Sequence, residues 1–459
     1  VPTVPLRARR LGRAALLALA TLTVRGAGAQ TAPAGAPPNA STSAVTAFVD
    51  VTVIPMDGRA PLANQTVVVR GDRIVGVGPA ARASVPAGAT RVDGRGKFLT
   101  PGLAEMHGHV PPPSAPAQLT DDVLFLYVAN GITTVRGMLG APGQLALRER
   151  ANRGEVIAPT LYLAGPSFNG NSVTSPEQAE RMVRAQKAEG WDLLKVHPGL
   201  TRPEYDAMAR TARAERIRFG GHVPADVGLL HALEMGQETF DHLDGYIEHL
   251  KGDQGPLDAA ALADVVKRTR DAGAWMVPTM ALWEVLYGTA DVATVTAYPE
   301  LRYMPKATVA QWTTLHTQRM ASPQMDRAMG QRVIENRMRL LKAMSDGGVR
   351  ILMGTDAPQQ FSVPGFSLHR ELLRMREAGM TPEQILATGT TRVGEYFAAS
   401  DRFGAVAPGQ RADLLLLEAS PLADIANLTR RAGVMVRGRW LPEREIQDRL
   451  AAIAARNAQ

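Results

Sequence analysis

Eight short apolar runs, each followed by a helical pattern, constrain this chain more than any other feature. The runs end near His109, Arg136, Ala164, His197, His222, His242, Pro278 and Asp356. Strands that alternate with helices favour parallel pairing, because a parallel return needs a crossover long enough to hold a helix. Eight such units predict a closed (β/α)8 TIM barrel over residues 102–401. Helix starts are marked in Ser175-Pro-Glu-Gln178 and Thr381-Pro-Glu-Gln384, where a capping hydroxyl precedes a first-turn Pro and a Gln three residues on. The second of these opens a helix after the last barrel unit. Ala179, Met182 and Val183 give the first an apolar face, and Leu368, Leu372 and Met375 do the same after the eighth strand. Residues 281–325 form an insertion after the seventh strand, with Trp283, Tyr287, Tyr298, Tyr303 and Trp312. These aromatics either pack a long loop or form a lid over a site.

The two chain ends read differently. Phe48–Ile54 places three valines at period two, and residues 65–77 read as a hairpin turning at Gly71-Asp72. Strands return at Ala412–Leu417 and Val434–Trp440. Residues 44–101 and 402–445 are therefore expected to build one small β-sandwich domain together. A chain of 459 residues is long enough for a large domain plus a small one, and 45% hydrophobic with 21% charged residues is a globular balance. The net charge of +7 is misleading, since Arg7, Arg9, Arg10, Arg13 and Arg25 lie in the first 29 residues, which hold no acid. Without those five the remainder carries +2, which argues against a nucleic-acid partner or an anionic-membrane surface. Residues 1–29 read as a secretory signal: a basic start through Arg13, an apolar run from Ala14 to Val24 and small residues at Ala27-Gly28-Ala29. Residues 30–43 read as a flexible spacer. The expected location is thus periplasmic or secreted, with no stable membrane insertion after cleavage; whether the chain forms a homo-oligomer is left open.

Barrel enzymes carry their chemistry at the C-terminal ends of the strands. Six candidates lie there: His107 and His109 on the first strand, Lys195 on the fourth, His222 on the fifth, His242 on the sixth and Asp356 on the eighth. His107 and His109, two apart, share a face of an extended strand. The chain has no Cys, so a metal would be held by N and O donors, a set that suits Zn, Mn, Co or Ni. Lys195 is ambiguous on its own. An ammonium has no lone pair, so the side chain binds a metal only as a carbamate or a neutral amine; otherwise it pairs with a carboxylate such as Glu105.

The motifs Pro101-Gly-Leu-Ala-Glu-Met-His-Gly-His109, Leu194-Lys-Val196, Gly221-His-Val223, Phe240-Asp-His-Leu243, Gly354-Thr-Asp356 and Pro408-Gly-Gln-Arg-Ala-Asp-Leu414 together resemble the metal-dependent amidohydrolase superfamily. The resemblance is to its imidazolonepropionase-like and Xaa-Pro or Xaa-Arg dipeptidase-like branch, and it covers residues 44–445. It implies two metal ions, Zn first among them. His107, His109 and Asp356 would hold one, His222 and His242 the other, and a CO2-derived carbamate on Lys195 would bridge both. Three residues are candidates for holding substrate. Arg136 would bind a carboxylate bidentately or make a structural ion pair. His197 shares the face of Lys195 and either holds substrate, supports the ligands or is an ordinary hydrogen-bonded strand-end histidine; Tyr246, after the sixth strand, either donates to a carbonyl oxygen or packs. His231 and His249 read as surface residues, His369 as a cap or support, and His316 carries no signal.

The expected activity is hydrolysis of an amide-type C–N bond in a small molecule, a dipeptide or an N-acyl amino acid, by a metal-activated hydroxide. Asp356 would serve as general base and then acid. The same centre would also suit a cyclic amide, a lactone or an organophosphate. A metal-holding binding protein without turnover is the reading from another class; Asp356 argues against it, since a binder needs no base.

Overall fold

The computed structural model describes residues 44–458. The expectations for residues 1–29 and 30–43 fall outside the described residues. Five strands come first: β1 (Val45–Val53), β2 (Leu62–Arg70), β3 (Arg73–Pro79), β4 (Thr90–Asp93) and β5 (Phe98–Pro101). β2 and β3 pair antiparallel with Arg70 opposite Arg73, so Gly71-Asp72 forms the two-residue turn that the sequence predicts.

Eight parallel strands follow. They are β6 (Leu103–Gly108), β7 (Ile132–Gly137), β8 (Thr160–Leu163), β9 (Leu193–Val196), β10 (Arg218–Gly221), β11 (Thr239–Asp241), β12 (Trp275–Val277) and β13 (Arg350–Ile351). β6, β7 and β8 make one parallel sheet, and β9 to β13 another, in sequence order. Bridges at Ala164–Leu193 and Phe168–Val196 tie β8 to β9. On the other side, Met106 N donates to Met353 O (2.8 Å) and Asp356 N donates to His107 O (2.6 Å). The arrangement is TIM-barrel-like, with at least one helix between every two successive strands. Both predicted caps form. Ser175 Oγ accepts from Gln178 N, and Thr381 and Gln384 cap reciprocally.

The chain ends with β14 (Leu414–Leu417), β15 (Arg431–Val436), β16 (Arg439–Pro442) and a helix over Glu443–Asn457. The two ends do meet. β14 pairs with β5, and one eight-stranded sheet runs β16-β15-β14-β5-β1-β2-β3, with β4 beside β1. Phe48, Val51, Val67, Leu99, Leu414 and Met435 lie at the heart of its apolar cluster. Two expectations need correction. The strand expected over 434–440 is the hairpin β15–β16, turning at Arg437-Gly438. The insertion over 281–325 is helical rather than a long loop, with helices over Met280–Leu286, Val292–Thr296 and Lys306–Met320.

Candidate metal centre

Strand β6 brings His107 and His109 to the same end of the parallel strands as the chain after β13 brings Asp356. His109 Nε2 lies 2.5 Å and His107 Nε2 3.5 Å from Asp356 Oδ1. Donors of these three residues fall within 4.8 Å of one another, a group able to hold a metal ion. His242 Nε2 stands 3.7 Å from the other carboxylate oxygen of Asp356, and its ring centre is 4.4 Å from that of His107. His222 continues the row, with its ring 4.6 Å from His242. Lys195 Nζ lies 3.2 Å from His107 Nε2. All six candidates from five strands thus join in one continuous cluster.

Local backbone explains the convergence. His242 (φ 65) and Asp356 (φ 66) sit in the left-handed region, so the backbone turns sharply at each of them. Gly220 and Gly221 let β10 run close to its neighbours: a Cβ on Gly220 would meet Thr239 Oγ1 at 2.1 Å, and one on Gly221 would meet Val196 O at 2.5 Å. At Gly354 a Cβ would stand 3.0 Å from His107 N.

The supporting contacts fit a metal. His107 Nδ1 faces Asp241 Oδ2 at 2.7 Å, His222 Nδ1 faces Asp244 Oδ2 at 2.5 Å, and His242 Nδ1 meets Thr279 Oγ1 at 2.8 Å. His222 and His242 each engage Nδ1 in a hydrogen bond and leave Nε2 for a cation, the usual arrangement around ligating histidines; His107 Nδ1 lies close to the Asp241 carboxylate without a hydrogen bond, and its Nε2 faces the Lys195 amine. His242 Nε2 is buried and has no hydrogen-bond partner among the described residues. Burial, followed by the charge of Lys195, holds His107 well below the usual imidazole range, and burial followed by His107 does the same for His242. Neutral imidazoles are the ligating form. Burial also pulls the Lys195 ammonium down to about 8, against the pull of Asp241 and Asp356.

Other expectations fare differently. Glu105 is not the partner of Lys195; it accepts from Thr355 N (2.8 Å), Thr355 Oγ1 (2.6 Å) and His107 N (3.0 Å), tying the first strand to the eighth. Arg136 is fully buried below the site. Its guanidinium donates to Met106 O, Thr239 Oγ1, Tyr396 OH and Asp241, so the structural ion pair replaces the substrate-carboxylate contact. Tyr246 is also fully buried, with its hydroxyl on Thr269 Oγ1 at 2.9 Å, and packs against Phe240 instead of reaching substrate. His197 does line the cavity, stacked on His222 (4.9 Å) with Nδ1 on Ser167 Oγ (2.6 Å), and burial holds it at about 2, hence neutral. His231 pairs with Asp206, His369 with Asn130, and His316 Nε2 donates to Ala290 O, all away from the cluster. Of the insertion's aromatics, Trp283 lines the cavity; Tyr303 stacks on Phe366 and Trp312 packs on Phe361. Asp241, Asp244 and Thr279 were missed. Asp241 had a signal, as the residue before His242 in a strand-end motif.

The sequence profile of the Amidohydrolase family matches residues 98–441. An imidazolonepropionase of Deinococcus deserti is 36% identical over 121 residues, covering 26% of this chain and 26% of that protein. The chain spans about half the length of two further curated relatives, both adenine deaminases. Among solved structures, a bottromycin amidohydrolase superposes with a TM-score of 0.72 at 23% identity, covering 90% of each chain. A Xaa-Pro dipeptidase with bound methionine superposes with a TM-score of 0.67 at 18% identity, covering 87% of this chain and 100% of the other. Both share the fold.

Proposed function

The chain belongs to the amidohydrolase family, and on that premise we propose that it is a metal-dependent hydrolase of amide-type C–N bonds. The observation that carries the reading is the cluster of His107, His109, His242 and Asp356 at the strand ends, with His242 Nε2 buried and unpartnered. The working architecture is a closed (β/α)8 barrel over 102–401 and a β-sandwich companion from 44–101 and 402–445, exported by way of residues 1–29.

His107, His109 and Asp356 would hold one ion, and His222 and His242 a second. Lys195, as a carbamate, would supply a further oxygen donor to that site. Its neutral amine forms a C–N bond to CO2 and releases a proton to solvent, which leaves an oxygen donor where an ammonium would repel a cation. A divalent ion in such a site supplies Lewis acidity and lowers the pKa of water toward neutrality. Asp356 accepts the proton of the attacking water and returns it to the leaving nitrogen, so the amide and one water become an acid and an amine. Asp241, Asp244 and Thr279 keep the three imidazoles oriented.

The test is turnover. The Zn- or Mn-loaded protein should hydrolyse members of a panel of amides, and Asp356→Asn should keep the fold while losing about 10²–10⁴-fold in kcat. Near-normal kcat in that variant would remove Asp356 from proton transfer.

A further inference from the structure

The ligand cluster opens into a cavity of about 720 Å³. Its polar lining is formed by the histidines and Asp356 together with Gln144 and Gln359. Its apolar lining includes Val110, Pro111, Leu139, Leu282, Trp283 and Leu286. Leu139 is 45% exposed, one of few large apolar side chains so exposed among the described residues. No Lys or Arg lines the cavity among the described residues; Arg136 and Lys195 are sealed beneath it.

We propose that the site selects an uncharged amide flanked by an apolar group the size of an aromatic ring, with Trp283 as the specificity-determining residue. This rests on the hydrolase reading above and names its substrate class. A carboxylate remote from the scissile bond would lose hydration here without gaining a cationic partner, which is costly. An aromatic or branched alkyl group instead removes its own surface and that of the apolar lining from water. An amide that carries a carboxylate on the far side of that apolar group is therefore the poorer fit.

Trp283 is held in place rather than merely present. Glu371 accepts from Met280 N (2.8 Å) and Ala281 N (2.9 Å) at the start of the helix that carries it. The Arg337 guanidinium lies 4.7 Å from the indole centre, and Tyr287 packs against it at 5.4 Å. The indole centre is 6.1 Å from that of His242, so a ring resting on Trp283 sits beside the ligand cluster.

Calorimetry on the full, metal-stripped chain tests this without turnover. The probes are N-phenylhexanamide and its 4-carboxy derivative, which differ by one carboxylate. The neutral amide should bind at least tenfold more tightly. Trp283→Ala should weaken it at least tenfold, and Trp283→Phe, which keeps an aromatic face, no more than about threefold. Equal or tighter binding of the carboxylated probe would overturn the proposal, as would wild-type affinity in Trp283→Ala. Hydrolysis by the metal-loaded enzyme is measured separately; its failure would count against the hydrolase reading, while this binding preference would stand or fall by itself.

Discussion

Lys195 is fully buried, and its contact within hydrogen-bond range is a histidine rather than a carboxylate. A buried ammonium without a close counter-ion is costly, which favours the neutral amine and its carbamate. Lys195→Ala should therefore lose most bound metal, and a short carboxylic acid with fresh metal should restore part of it. Full metal content in the unrescued variant, measured by elemental analysis, would remove the bridge. Arg337 makes a second case. It donates to His242 O (2.6 Å) and Pro278 O (3.0 Å), pinning the turns that present His242 and start the Trp283 helix, although burial pulls its guanidinium down to about 10. Hydrogen bonds from a charged donor contribute about 1.5–3 kcal/mol each. Arg337→Met should cost about 3 kcal/mol in denaturant unfolding of the metal-free protein and loosen metal binding; unchanged stability would show that the clamp contributes little.

Among the elements, β10 is the most tightly constrained. Gly221 has φ 126 and lies where a Cβ would meet Val196 O at 2.5 Å, whereas Gly190 (φ 90) ends a helix in open space. Gly221→Ala should cost about 3 kcal/mol from combined strain and crowding, and Gly190→Ala about 1 kcal/mol. Equal costs by denaturant unfolding would contradict the close approach of β9 and β10. The strand ends were legible because a polar residue with Gly or Pro nearby closes most of the apolar runs, as in Gly220-Gly-His222 and Gly354-Thr-Asp356. The β15–β16 turn was not, because Arg437 adopts φ 44 without the usual Asn or Asp signal. The helices over Met280–Leu286 and Val292–Thr296 are too short to show a period. Arg136 and Tyr246 sit where the sequence puts them, but a strand position alone does not say whether a long side chain rises into a cavity or lies under it.

At the scale of the molecule, the parallel strands and the sheet from both chain ends meet around Arg411. It reaches Thr134 Oγ1 (2.7 Å) as well as Asp401 and Asp413 (both 2.7 Å), joining β7 to the segment before β14. The final helix packs on the first helix of the parallel unit, with Arg456 on Asp122 at 2.5 Å. That frame holds six side chains from distant parts of the chain at one mouth. Elemental analysis of the purified full chain after dialysis measures the consequence directly. The account predicts two divalent transition-metal ions per folded chain, lost together in His107→Ala. One ion per chain would keep the site but remove the Lys195 bridge, and a folded chain that retains none would contradict the metal centre itself.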